Sequence, residues 1–230
     1  MKSTSKMSSE DRRESIISEV RKVFAEKGFR GVTSRELANA AGISEALLFR
    51  HFPNKDALYT AIQESCCRHE DTEKMEKLDA LDNSTGNLVL LVHVLVSEMF
   101  RVPSGGDAEE DTLRRLFLRS ITEDGAFVRL LLKGLTSRWV RKTEMCLRAA
   151  VDAGDAIPGP APLHLRAWFV HHLAAMVAIH LLPETPIVDY GISREKLMEQ
   201  TVWFALRGLG LTDTAIEMHY NPKALEPFFA

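Results

Sequence analysis

Cysteine is scarce in this chain: Cys66, Cys67 and Cys146 are the only three in 230 residues, with no C-x-x-C spacing. Neighbouring cysteines on a helix point about 100° apart, so Cys66 and Cys67 neither chelate one metal nor bridge readily. A disulfide scaffold is thereby excluded, and reduced thiols are expected. Long apolar runs are missing too. The longest, 88–99 and 168–182, are interrupted by His or Glu and too short for a bilayer. Residues 1–15 are polar and charged, which argues against a signal peptide and for a cytoplasmic protein. No Gly-rich phosphate loop, GxSxG or HExxH occurs, so an enzyme is not expected. His171 and His172 point to different faces of a helix and His180 lies two turns on, so neither metal nor cofactor is expected. No run of period-two alternation and no internal repeat is present, and the fold class is all-α.

Charge gives little direction by itself. The net value is −3, while residues 1–65 hold eleven Lys and Arg against nine Asp and Glu. The informative segment is 33–58, TSRELANAAGISEALLFRHFPNKDAL. Thr33 or Ser34 caps a first helix, with Glu36 placed for a capping box, and Leu37, Ala38 and Ala41 form its apolar side. Gly42 supplies a left-handed residue for a tight turn. Ser44 then caps a second helix reaching about Arg50, with Leu47 and Leu48 inward. Phe52-Pro53-Asn54 ends it and Asn54 caps the next helix. Two short helices so joined make a helix-turn-helix, whose second helix enters the DNA major groove.

These residues resemble the DNA-binding domain of the tetracycline-repressor (TetR) family: Thr33, Ala40-Ala41-Gly42-Ile43-Ser44, Phe49, His51-Phe52 and Lys55 stand at the family's spacings over roughly residues 10–65. The resemblance implies an N-terminal three-helix helix-turn-helix domain over 1–65, with a flexible arm at 1–9 containing Lys2 and Lys6. It also implies a helical ligand-binding and dimerisation domain over 66–230, where occupancy of a cavity moves the DNA-binding heads apart. Arg35 then contacts a base edge or phosphate, or else pairs with Glu36. Glu45 and Ala46 open the recognition helix, where Glu45 can accept from cytosine. Leu47 stands where many relatives carry a polar residue, and Phe49 replaces the more frequent tyrosine, keeping the ring without the hydroxyl. Thr33, Ser34, Ser44, Arg50, His51 and Lys55 form the phosphate-positioning set, and Phe52 is core.

Beyond the motif, helical periodicity spans 9–27 and, after helix 4, 85–101, 107–121, 123–153, 163–182, 193–211 and 212–219. Breaks fall at Pro103–Gly106 and Ile157–Pro162. The helices at 163–182 and 193–211 are apolar around most of their circumference, so each is buried on more than one side. Trp168, Phe169, Leu197, Thr201, Phe204, Ala205 and Gly208 are the expected interface of a homodimer. His93, Met99, Phe100, Phe117, Trp139, His171 and Met176 are candidates to line an apolar ligand pocket, or else are simple core. The leading expectation is a dimeric repressor released from a palindromic operator by an apolar or aromatic small molecule. The alternative is a DNA-binding regulator that is constitutive or controlled by a protein partner.

Overall fold

Side-chain caps set the helix boundaries of this protein more visibly than any other local signal. The computed structural model describes residues 8–67, 71–101, 108–123, 125–183 and 185–225. The expected arm with Lys2 and Lys6, the Pro103–Gly106 loop and the side chains of Cys66 and Cys67 lie outside what is described. Helix α1 runs Ser9–Lys27, opened by a capping box between Ser8 and Asp11. Helices α2 (Ser34–Ala40), α3 (Glu45–His51) and α4 (Lys55–Cys67) follow, then α5 (Asp71–Ala80), α6 (Thr85–Phe100) and α7 (Ala108–Thr122). Next come α8 (Ala126–Leu131), a π-type segment (Leu132–Thr136), α9 (Ser137–Asp152), α10 (Leu163–His180), α11 (Arg194–Leu209), α12 (Asp213–His219) and α13 (Pro222–Leu225). Among the described residues the only extended pairing is a single bridge between Ala156 and Leu211, so the chain is all-α.

One long helix was expected over 123–153, and here the chain departs from the periodicity. Gly125 is left-handed at φ 68 and starts α8, and Gly134 is non-helical at ψ −119. Glycine adopts both conformations without a Cβ penalty, so the apolar spacing continues while the helix does not.

Two compact units emerge: Met1–Lys74 with Pro103–Leu135, and Met75–Val102 with Thr136–Ala230. The first has a core of Ile16, Val20 and Phe24 from α1, Leu37 and Leu48 from the motif, and Phe52, Leu58 and Ile62, joined by Leu116 of α7 and Phe127 of α8. Helices α7 and α8 are therefore built into this unit. Arg119 of α7 donates from Nε to Ala25 O at 3.0 Å, capping the carbonyl end of α1. In the second unit α6 is central and packs against α9, α10 and α11. Its Leu88, Val92 and Val96 are fully buried. Arg166, itself buried, donates to Ala161 O, Ile157 O and Leu209 O, and so pins the proline-rich segment to the end of α11.

Candidate nucleic-acid interface

Helix α2 begins where the capping pattern put it. Thr33 Oγ1 accepts from Glu36 N at 3.3 Å, while the Glu36 carboxylate accepts from Thr33 N at 2.8 Å. Lys27 Nζ reaches the same carboxylate at 2.6 Å and thereby ties the end of α1 to the start of α2. The Lys27 hydrogen bond, helped by Thr33, holds Glu36 down to about 2. Gly42, at φ 65, makes the turn, and Ile43 N donates to Ala38 O at 3.0 Å. Ser44 Oγ then caps α3 by accepting from Leu47 N at 3.2 Å.

A seven-residue helix is too short to be stable alone. Helix α3 is held by Leu48 and Phe52, one turn apart and both buried. The opposite face carries Glu45, Ala46, Phe49 and Arg50, all exposed, with Phe49 at 40%. Positions i, i+1, i+4 and i+5 lie on one side of a helix, so these four side chains form one outward surface. Thr33, Arg35 and Ser44 are exposed as well, and Ser34 and His51 are half-buried. Neither Arg35 nor Arg50 has a hydrogen-bond or ion-pair partner among the described residues, and Glu36 pairs with Lys27 instead of Arg35.

Lys55 differs from the phosphate role read from the sequence. Its ammonium donates to Val32 O at 2.6 Å and lies 4.7 Å from the Phe29 ring centroid. It is committed within the domain, bracing the residue that precedes the α2 cap. Arg13 was not among the expected site residues. It donates from Nη1 to His51 O at 2.9 Å, with its guanidinium carbon 4.3 Å from the Phe52 ring centroid. Its partner lies 38 residues away, so spacing holds no sign of the contact. The available hint was a cation near the N-terminal end of α1, where that helix's own dipole disfavours it.

The expected pocket residues do not form one group. Phe117 packs against the core of the first unit. Met176 is 53% exposed, whereas His93, Phe100, Trp139 and His171 are buried in the second unit and Met99 is half-buried. Trp139 Nε1 donates to Leu91 O at 3.1 Å, and its ring lies 6.5 Å from that of His171. His171 Nδ1 and Thr143 Oγ1 are buried with no hydrogen-bond partner among the described residues. Burial, joined by the charge of His172, pushes His171 down to about 4. Two open pockets, of about 340 and 300 Å³, lie elsewhere in this unit. One is walled by Pro158, Gly159, Arg166 and Phe169; the other lies between α6 and α11 by Phe100 and Arg194.

The expected dimer residues divide by face. Leu197, Thr201 and Ala205 turn into their own unit's core and Trp168 is half-buried, whereas Phe169, Phe204 and Gly208 are exposed. Among the described residues no group of three or more His, Cys, Asp or Glu is placed to hold a metal, and no helix is long and apolar enough to cross a membrane.

Comparison with known proteins agrees with this geometry. Residues 16–62 match the family described as bacterial regulatory proteins, tetR family. The HTH-type transcriptional repressor Rv1474c of Mycobacterium tuberculosis is 37% identical over 75 residues, a stretch covering 33% of this chain and 37% of the repressor. The match thus spans little more than a third of that relative's length. Among solved structures, a bacterial regulatory protein in the tetR family from Rhodococcus RHA1 superposes at a TM-score of 0.61, with 19% identity over 88% of this chain and 98% of the other. AibR, crystallised with isovaleryl coenzyme A and operator DNA, does so at 0.59, with 16% identity over 84% and 97%. Likeness at that identity concerns the fold, and the family assignment rests on the N-terminal match. Through its N-terminal domain, residues 16–62, the chain belongs to the tetR family of bacterial regulatory proteins.

Proposed function

We propose that this protein is a homodimeric transcriptional repressor that binds a palindromic DNA operator and is released from it by an apolar or aromatic small molecule. The observation that carries DNA binding is the single outward face of α3, where Glu45, Ala46, Phe49 and Arg50 stand exposed on a helix anchored from behind by Leu48 and Phe52. Arg50 supplies phosphate charge, and Arg35 on α2 supplies a bidentate donor suited to guanine. Glu45 next to phosphates lowers affinity for most sequences and favours those that present cytosine. Thr33, Ser34, Ser44 and His51 add hydroxyl and imidazole contacts to phosphate. Dimerisation is supported by the apolar surface of α10 and α11, with Phe169 at 57% exposure, Phe204 at 67% and Met176 at 53%. Such large side chains at helical spacing are covered by a second copy.

Support for a small effector comes from the seam between α9 and α10. Thr143 lies one turn after Trp139, and both Thr143 Oγ1 and His171 Nδ1 are buried polar atoms without a partner among the described residues. Such atoms call for a water or ligand group. AibR, of similar fold, is known with both an acyl thioester ligand and operator DNA. Selection from a random duplex pool by the purified protein tests the reading: an inverted repeat is expected. An apolar compound that raises the melting temperature must weaken binding to that repeat, and the repeat must weaken the compound's binding by the same factor. Enrichment of no sequence would sink the DNA reading. A repeat that no compound releases, but a protein does, would replace the effector.

A further inference from the structure

Helix α3 has seven residues, and like any helix it leaves its last carbonyls without intrahelical donors. Phe52 N satisfies Leu48 O at 2.9 Å. The His51 carbonyl, at the very end, is satisfied from outside by Arg13 Nη1 at 2.9 Å. The same guanidinium lies on the Phe52 ring, whose own exposure is 1%. One side chain of α1 thus holds the last residue of α3 through a charge-assisted bond and the following residue through its ring. The positive charge also sits at the negative end of the α3 dipole. At the other end Ser44 caps the helix with its own hydroxyl, so Arg13 provides the long-range restraint on α3's exit.

We propose that Arg13 is a positioning residue for DNA recognition. It does not touch DNA but fixes the angle at which α3 presents Glu45, Ala46, Phe49 and Arg50, and so governs discrimination between sequences. This rests on the reading of α3 as the recognition helix. Lysine is an incomplete substitute, because a flexible ammonium lacks the planar fork that bonds the carbonyl while lying on the ring.

The test uses the full chain, wild type and with Arg13→Gln or Arg13→Lys, against the wild type's selected inverted repeat and a scrambled duplex across a KCl series. Arg13→Gln is expected to lose about tenfold in affinity for the repeat, the scale of one charge-assisted bond, and much less for the scrambled duplex. The slope of log K against log[KCl] should stay at the wild-type value, because no phosphate contact is lost. Amide hydrogen exchange in the free protein should quicken across α3 while the buried α1 amides keep their rates; general destabilisation would quicken both. Arg13→Lys should fall between wild type and Arg13→Gln, with the wild-type slope. Wild-type affinity in Arg13→Gln overturns the proposal, as does an equal loss on both duplexes with the slope reduced by about 0.9, the mark of a phosphate contact. If the glutamine variant fails to fold, wild-type affinity and exchange in Arg13→Lys overturn it by themselves. A wild type that selects no duplex refutes the DNA reading instead, so the two failures are separable.

Discussion

Glu123, just past α7, braces the turn that follows α1: its Oε2 accepts from the backbone N of Phe29 at 3.3 Å, and its other oxygen lies where a Cβ on Gly28 would fall. Gly28 is at φ 73, left-handed as well as crowded. Gly42 shares the left-handed backbone at φ 65, yet a Cβ there would have nothing within 4 Å. Alanine at Gly42 is therefore expected to cost about 1 kcal/mol of backbone strain. Alanine at Gly28 should cost at least about 1 kcal/mol more, because Glu123 must also move. Urea unfolding measures both. The Gly28→Ala, Glu123→Ala double variant should close most of the gap between them, and two single variants of equal cost would contradict this account.

Arg50 and Arg35 should fail differently. Arg50→Gln is expected to weaken binding to all duplexes and to reduce the salt slope by about 0.9. Arg35→Ala should relax the preference at one position in each half-site, at about 1–3 kcal/mol. Titration on single-base variants of the selected repeat separates the two, and uniform losses from Arg35→Ala would place it on phosphate.

Most of the helix-turn-helix was legible because its signals are local. Thr33, Glu36, Gly42, Ser44 and Asn54 act within four residues of themselves, and each takes the capping or turn role its type prescribes. Arg13, Arg119 and Lys55 were illegible in their roles because their acceptors are carbonyls 38, 94 and 23 residues away, and any residue offers a carbonyl. Orientation was the other loss. A helix apolar nearly all round, like α11, does not tell from spacing whether Ala205 or Phe204 faces its own core. The structure buries the first and exposes the second. Met176 and Phe117 failed as pocket residues for the same reason: composition marks a side chain as apolar without saying which neighbour it meets.

Phe204→Glu tests the outer face of α11. At 67% exposure the substitution should leave the chain folded, while a second copy packed there would bury the new charge. Sedimentation should show monomers with an unchanged melting curve at low concentration, and binding to the full repeat should collapse towards half-site strength. A dimer that persists would move the interface elsewhere.

The second unit should weaken in mild acid. His171 is held down to about 4 by burial and then by His172, and burial also lowers His93. The unfolded chain takes up these protons near the ordinary value of 6.5, so their contribution to stability is complete above that pH and is lost as pH falls towards 4. For His171 the loss is on the order of 3 kcal/mol. Equilibrium unfolding between pH 7 and 4 should show it, and His171→Leu should flatten the slope. An unchanged slope in that variant would assign the acid limb to other groups.

The central claim is that two copies of this chain read one operator through α3, and a titration with stoichiometry tests it most directly. The selected inverted repeat and its isolated half-site are each titrated at several KCl concentrations, and the mass of each complex is measured by sedimentation. The account predicts two chains on the full repeat, half-site centres about 34–36 Å apart and affinity falling steeply with salt. The half-site should bind far more weakly. One chain per duplex with equal affinity for repeat and half-site, or binding indifferent to salt, would contradict it.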